Sequence, residues 1–476
     1  MPAVTGAAEQ FVGRRLLLGT ATCIGGVAIG AASVRSPLLV LVAAVGLVFV
    51  ALTAAELAAG LAVFTTLIFL EQIPSLSTSG LTLTKFAGGV LALVWAITAA
   101  RRRATAPLLT DRHPALAYCA LVLLGWTFAS MLWATDPTTA GLTALRFTQG
   151  TILIFVVFSA IREKRHLIWV IDGFLVGAVL TAIVGLAGVT GAEGTDAAMS
   201  DRLTGSIGDP NELAAILLPA LSLALFMLAT SDGALRRFLL VAVAVTCVVA
   251  LVRTESRGGL IGLGAMLLAG LVFSGPVRAR AATIVLAVSG FAVAYFTLVA
   301  PPQSLGRLTS FGAGGGSGRT DLWSVALDIT RNHPLAGIGA GNFQLVEPAY
   351  ALHNRNLPRF DLIVDTPKVV HNMYLNALVE LGVVGLCLFM LLIVYAFTSA
   401  FRAVSAFART GDREMELLAR GIIIGTIGML VAFFFLSAQY EKQLPLLLGM
   451  LAALSSLGPS RITTRTGSQL VRGAGW

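Results

Sequence analysis

Residues 369–386 read VVHNMYLNALVELGVVGL, an apolar run that nevertheless carries His371, Asn372, Asn376 and Glu380. The two asparagines and the glutamate recur every four residues and so share one helix face, with Glu380 about 13 Å along the axis from the histidine at 1.5 Å per residue. Acids inside an apolar segment are costly and face a protein interior rather than lipid. The histidine lies at the start of the run, where an imidazole with a pKa of about 6.5 can accept a proton at neutral pH. An interfacial histidine and an acid hydrogen-bonded to a neighbouring helix are the competing readings; the polar face below the histidine favours chemistry.

Five cations stand where such a face could use them. Lys85 falls in TLTKF, Arg146 in ALRFTQ, Arg202 in SDRLTGSIGDPNE, Arg257 in TESRGGLIGL and Arg319 after the glycine run GAGGGSG. Each alone could snorkel to lipid headgroups. Together, at the mouths of apolar runs, they suggest an anionic ligand, and a pyrophosphate suits guanidinium forks that bind phosphate oxygens in pairs. In GDPNELAAILL, Asp209 can cap a helix with Pro210 at its first position and Glu212 completing a capping box, which leaves Asn211 beside an N-terminus that attracts anions. Ser256 can cap the next run. That does not explain Arg257, which is unfavourable beside a positive helix end.

The elements that must position these residues are membrane helices. The chain of 476 residues is 57% hydrophobic and 12% charged, where soluble domains carry about 25% charged residues. The apolar runs are long and do not alternate, which excludes a closed barrel. Spans are expected near 16–33, 37–53, 56–70, 83–100, 115–133, 145–161, 167–190, 212–230, 237–252, 258–274, 281–300, 372–400, 418–437 and 443–458. The fold class is therefore an all-α polytopic membrane protein with 12 to 14 transmembrane helices. The N-terminal run is read as a retained span rather than a cleaved signal peptide. Cys23, Cys119, Cys247 and Cys387 lie within apolar runs, so neither a disulfide framework nor a thiolate metal site is implied. The net charge of +9 is spread over short loops rather than gathered in a tail, which argues against nucleic-acid binding. With a cytoplasmic N-terminus, twenty of the 33 basic residues fall in inner loops, spread over all but the shortest, an orientation that the positive-inside rule supports.

With that orientation, residues 301–371 form one large extracytoplasmic loop between an N-terminal bundle, 1–300, and the C-terminal helices of the same bundle, 372–476. Loops of this length without secondary structure are uncommon unless functional. TDLWSVALDITRNHP reads as an amphipathic helix capped by Thr320, with Trp323, Ala326 and Leu327 as its apolar stripe and Pro334 ending it. The GIGAGNF that follows has no preceding strand and is weak as a nucleotide loop; a tight turn over the membrane surface is expected.

GRTDLWSVALDITRNHPLAGIGAGNF followed by HNMYLNALVELGVVGL resembles the signature of the O-antigen ligase and polymerase superfamily, and RLTGSIGDPNELA and ESRGGLIGL resemble its other recurrent blocks. The resemblance covers about residues 200–390 and implies transfer of a glycan from an undecaprenyl-pyrophosphate carrier to an acceptor hydroxyl on the outer face of the inner membrane. It implies His371 as the base and Arg202, Arg257 and Arg319 as the pyrophosphate ligands. Lys85 and Arg146 match by span order only.

The residues themselves agree with that chemistry. Guanidinium groups can neutralise a pyrophosphate leaving group, so no metal and no cofactor is expected. An acceptor hydroxyl needs a base, worth roughly 10² to 10⁴ in rate; His371 is the best placed, with His333 and His353 as rivals. Single in-line attack inverts the anomeric centre. The expected partners are the lipid-linked glycan donor, a glycan or glycolipid acceptor and membrane lipids, with no nucleic acid. A polymerase joining lipid-linked repeat units would use the same site. A transporter or flippase is the reading from a different class, disfavoured by the long outer loop and by the lack of a repeat between the two halves.

Overall fold

The computed structural model describes residues 37–71, 77–78, 81–101, 108–188, 202–301, 304, 319–353 and 368–458. The expected span at 16–33, the glycine run before Arg319 and the C-terminal basic residues lie outside them. Among the described residues the architecture is helical, relieved only by a hairpin of two-residue strands, Ser77–Thr78 and Leu81–Thr82. In chain order the helices are α1 (Pro37–Ala55), α2 (Leu57–Leu67), α3 (Leu83–Arg101), α4 (Pro114–Ala129), α5 (Pro137–Ala160), α6 (Lys164–Leu186), α7 (Pro210–Thr230) and α8 (Ala234–Arg253). They continue with α9 (Arg257–Phe273), α10 (Arg278–Leu298), α11 (Arg319–Asn332), α12 (Phe343–His353), α13 (Met373–Thr410), α14 (Arg413–Ala432) and α15 (Gln443–Ala453). Among the described residues nine helices are long and apolar enough to cross a membrane, and α2, α9, α15 and the second half of α1 are shorter apolar helices. The chain is a multi-pass membrane protein of the all-α class.

Most helix boundaries fall where caps predict. Asp209 accepts from the amides of Asn211 (2.6 Å) and Glu212 (3.1 Å) with Pro210 at the first position of α7, and Ser256 accepts from Gly259 at 3.1 Å at the start of α9. α5 departs from expectation. It begins at Pro137, capped by Asp136, rather than near 145, so Arg146 sits more than two turns inside the helix and not at its mouth. The Asp-Pro pair sets that boundary, ahead of the point where the apolar residues become dense.

The core is formed by α7, α9 and α14, with α7 and α14 each largely buried. Close approach depends on small residues, as is usual where lipid-like surfaces offer no hydrophobic drive to associate. A Cβ on Gly425 would lie 2.7 Å from the Pro219 Cα of α7, and one on Gly262 would lie 2.7 Å from the Gly428 carbonyl of α14.

Two ends of the bundle are distinguishable. At one, the starts of α7, α9, α13 and α15 meet the ends of α2, α4, α8 and α14. At the other, Lys164 pairs with Glu414, Arg236 lies 3.9 Å from Asp172, and Arg420 donates to the Phe273 carbonyl at 2.6 Å.

The segment between α10 and α13 contributes α11 and α12. The buried stripe of α11 is Leu322, Val325, Ala326 and Ile329, while Leu327, expected on that stripe, is 46% exposed. Thr320 lies within α11, not before it. The true stripe repeats at three and four residues from Leu322 and packs with Ile338, Phe343, Val370 and Val379.

Candidate functional site

α13 is broken. Gly382 has φ 70° and ψ −175°, so a nine-residue leg, Met373–Leu381, precedes the long remainder of the helix. The carbonyls that the break frees find new donors: Val379 accepts from Ile338 (3.1 Å), Glu380 from Gly339 (2.9 Å) and Leu381 from Trp126 Nε1 (2.9 Å). The amides beyond the break donate outward, Val383 to Pro334 (2.9 Å) and Val384 to Leu335 (3.4 Å). The loop 334–342 therefore replaces the missing helical bonds, which non-helical backbone at membrane depth requires. Its glycines permit this. Gly337, Gly339 and Gly341 all have positive φ, and a Cβ on them would lie 2.4 Å from Glu380, 2.4 Å from Ala134 and 2.2 Å from Thr143. GIGAGNF is thus a backbone clamp on α13.

The leg carries the polar face. Asn372 caps it, accepting from Tyr374 and Leu375 at 3.0 Å each. Asn376 and Glu380 are buried behind it. The Glu380 carboxylate accepts from the Tyr440 hydroxyl at 3.0 Å and is also approached by the amides of Gly341 and Phe343. This answers how the segment tolerates an acid: the leg is enclosed by protein and its acid is fully engaged.

His371 precedes the leg with φ 53°, a strained conformation for a non-glycine residue. Its amide donates to Ser437 Oγ at 2.9 Å, and its buried Nδ1 has no hydrogen-bond partner among the described residues. Burial, then the Arg319 charge, lower its pKa to about 4; Asp209 opposes and Lys368 adds to the effect. Burial also holds the Arg319 guanidinium below its usual range, with Asp209 opposing and Arg257 contributing. Arg319 is thus the charge that links Asp209 and Arg257 to His371.

Arg202 joins this group through Asn211. Its Nη2 donates to Asn211 Oδ1 at 3.2 Å and its Nε to the Thr254 carbonyl at 2.8 Å, while Ser256 Oγ donates to the same Asn211 oxygen at 2.8 Å. Loop 202–209, the start of α7 and the start of α9 are so locked together. Lys85 is exposed at the first turn of α3, where its amide donates to Thr82 Oγ1 at 3.3 Å. Arg146 is exposed on α5 with its guanidinium 5.7 Å from the centre of the Tyr440 ring. Of the rivals, His333 is exposed at the end of α11, and the His353 side chain lies outside the described residues.

Sequence reasoning missed the segment SAQYEK, 437–442, between α14 and α15. Ser437 holds His371, Tyr440 holds Glu380, and Lys442 pairs with Glu71. Burial holds Glu441 above its usual range beside Glu212. Six polar or small residues between two apolar runs were the available signal. Also missed were Glu347, buried on α12 with its carboxyl accepting from the Lys368 amide at 3.0 Å and pushed by burial to about 7, and the aromatic group beside His371. In that group the Trp323 indole donates to the Val370 carbonyl at 3.0 Å and stacks edge-on to Phe434, 5.6 Å between ring centres.

The family model described as O-antigen ligase matches residues 242–390. That segment is similar to the O-antigen ligase family. The matched segment includes Arg257, Arg319, His371 and the polar leg, and leaves Lys85, Arg146, Arg202, Asn211 and SAQYEK outside it. No curated protein matches the chain. This similarity points to a glycosyltransferase-type membrane enzyme.

Proposed function

We propose that the protein transfers a glycan from a polyprenyl-pyrophosphate carrier to an acceptor hydroxyl at the end of the bundle that holds His371. The observation that carries this reading is the His371 group: a buried imidazole nitrogen with no partner among the described residues, in the field of Arg319 and Asp209, with Arg257 beside Arg319. Arg257 and Arg319, with Arg202 behind Asn211, hold the pyrophosphate and neutralise the charge that develops as it leaves. The acceptor oxygen attacks the anomeric carbon in line, the bond from that carbon to the pyrophosphate oxygen breaks with its electron pair, and the acceptor proton passes to His371. One displacement inverts the anomeric centre. Neutralisation is assigned to side chains, so transfer is metal-independent. Asn372, Asn376 and Glu380 line the floor under His371 and fix the leg that presents it. Lys85, exposed at the start of α3, and Arg146, exposed more than two turns inside α5, add positive charge along the donor path.

A pKa of about 4 makes the imidazole neutral and ready at neutral pH, but a weak base. The donor corrects this. Its pyrophosphate charge opposes the Arg319 field that depresses the histidine, so proton affinity rises when donor is bound.

The opposite end of the bundle carries Arg112, Arg162, Lys164, Arg165, Arg409 and Arg413, which by the positive-inside rule is cytoplasmic. The site then faces outward from the bacterial cytoplasmic membrane, where lipid-linked glycans are joined. Ligation to an acceptor is the primary reading, and a polymerase joining lipid-linked repeat units would use the same site. Purified protein given a polyprenyl-pyrophosphate glycan and an acceptor glycolipid should release the carrier pyrophosphate and form a new conjugate, unaffected by chelator. A longer chain on the same carrier would mark a polymerase, and strong inhibition by chelator reversed by a divalent ion would overturn the assignment of neutralisation to arginines.

A further inference from the structure

At the end of the bundle away from His371, α10 stands off from α7 and α9. The gap is a cavity of about 280 Å³ walled by Leu225, Phe226, Met266, Gly270 and Ile284, with Arg237 and Arg280 at its mouth. Apolar walls of this kind stay dry and accept carbon. Gly270 is where the space opens: a Cβ there would meet nothing within 4 Å. Both guanidinium groups are exposed, and neither forms an ion pair among the described residues, whereas Arg236, next in sequence to Arg237, lies 3.9 Å from Asp172.

We propose that this groove binds one anionic phospholipid of the membrane, an acyl chain lying between α7, α9 and α10 and the phosphate held by Arg237 and Arg280. Charge complementarity decides the occupant. Lipid tails are as apolar as the groove walls, so filling it gains packing but selects no headgroup. Selection comes from the two cations, which near an anionic surface supply a preference of roughly 30-fold for two arginines. A single lipid wedged there would tie α10, which is little buried elsewhere, to the core.

The test uses the full-length protein in neutral detergent, titrated with phosphatidylglycerol, phosphatidylcholine or inorganic phosphate, with native mass spectrometry and thermal unfolding as readouts. Phosphatidylglycerol should bind about 30-fold more tightly than phosphatidylcholine and raise the unfolding temperature, and inorganic phosphate should do neither. The R237Q/R280Q protein should lose the preference while keeping weak binding of both lipids. G270L, whose Cβ meets nothing within 4 Å and whose side chain extends into the cavity space, should lose binding of both and show the raised unfolding temperature without lipid. Equal affinity for the two lipids, an unchanged preference in R237Q/R280Q, full lipid binding by G270L, or an equal response to inorganic phosphate would each overturn the proposal.

Discussion

Replacing Gly339 by alanine should loosen the clamp that holds the broken helix. Gly339 has φ 96° and its Cβ would fall 2.4 Å from the Ala134 Cβ and 2.7 Å from the Ala134 Cα, against ordinary carbon contacts of about 3.5–4.0 Å. Neither atom is the far end of a flexible chain, so relief requires the backbone to move. Overpacking of this kind costs roughly 1–3 kcal/mol, and a positive φ costs a residue with a Cβ about 1–2 kcal/mol more. The sum, about 2–5 kcal/mol, opposes the bonds from Ile338 and Gly339 to the carbonyls of Val379 and Glu380. Amide exchange of residues 338–339, followed by mass spectrometry, should quicken by about 30-fold to several thousand-fold as that local opening becomes easier. Transfer should fall with it. Gly264→Ala is the control, because a Cβ there meets nothing within 4 Å and a helix-interior alanine is favoured over glycine by about 0.5–1 kcal/mol. Unchanged exchange and full activity in Gly339→Ala would refute the reasoning that the glycine run positions the site.

Three further outcomes are expected. The acid limb of kcat/KM, which reports the free enzyme, should lie near pH 4, and that of kcat should lie higher because bound pyrophosphate opposes Arg319; a common break at 6.5 would contradict both the burial of His371 and the field assigned to Arg319. Arg257→Lys keeps the charge but loses the planar fork, so transfer should drop about 10- to 100-fold at normal protein level, and full activity in that variant would remove paired phosphate binding at this position. Cysteines placed at exposed Leu335 or Leu345 should be labelled in intact cells by a reagent that does not cross the membrane, while cysteines at Arg112 or Arg413 should not; the reverse pattern would invert the orientation.

What the sequence made legible was local. Asp209-Pro210 and Ser256 announce the starts of α7 and α9 because a cap is a contact within three residues. The four-residue spacing of Asn372, Asn376 and Glu380 announces a buried face for the same reason. The break at Gly382 was not legible, because a glycine among apolar residues at helical spacing reads as helix, and only the docking of a loop some forty residues upstream makes the break tolerable. Arg146 was misjudged where hydrophobic density was taken as the boundary in place of the Asp136 cap. The SAQYEK segment draws its meaning from partners as distant in sequence as Glu71 and Glu212, which no local pattern links to it.

The assignment of His371 as the proton acceptor is tested most directly by His371→Gln in a single-turnover assay run beside a donor-binding measurement. Glutamine can hydrogen-bond but cannot take up a proton at neutral pH. The account predicts donor binding within about twofold of the wild type, since the pyrophosphate is held by arginines, and a chemical step slowed by roughly 10² to 10⁴, the range for loss of a positioned base. Transfer at the wild-type rate with an unchanged pH profile would contradict it and leave His371 as a structural residue at the head of the leg.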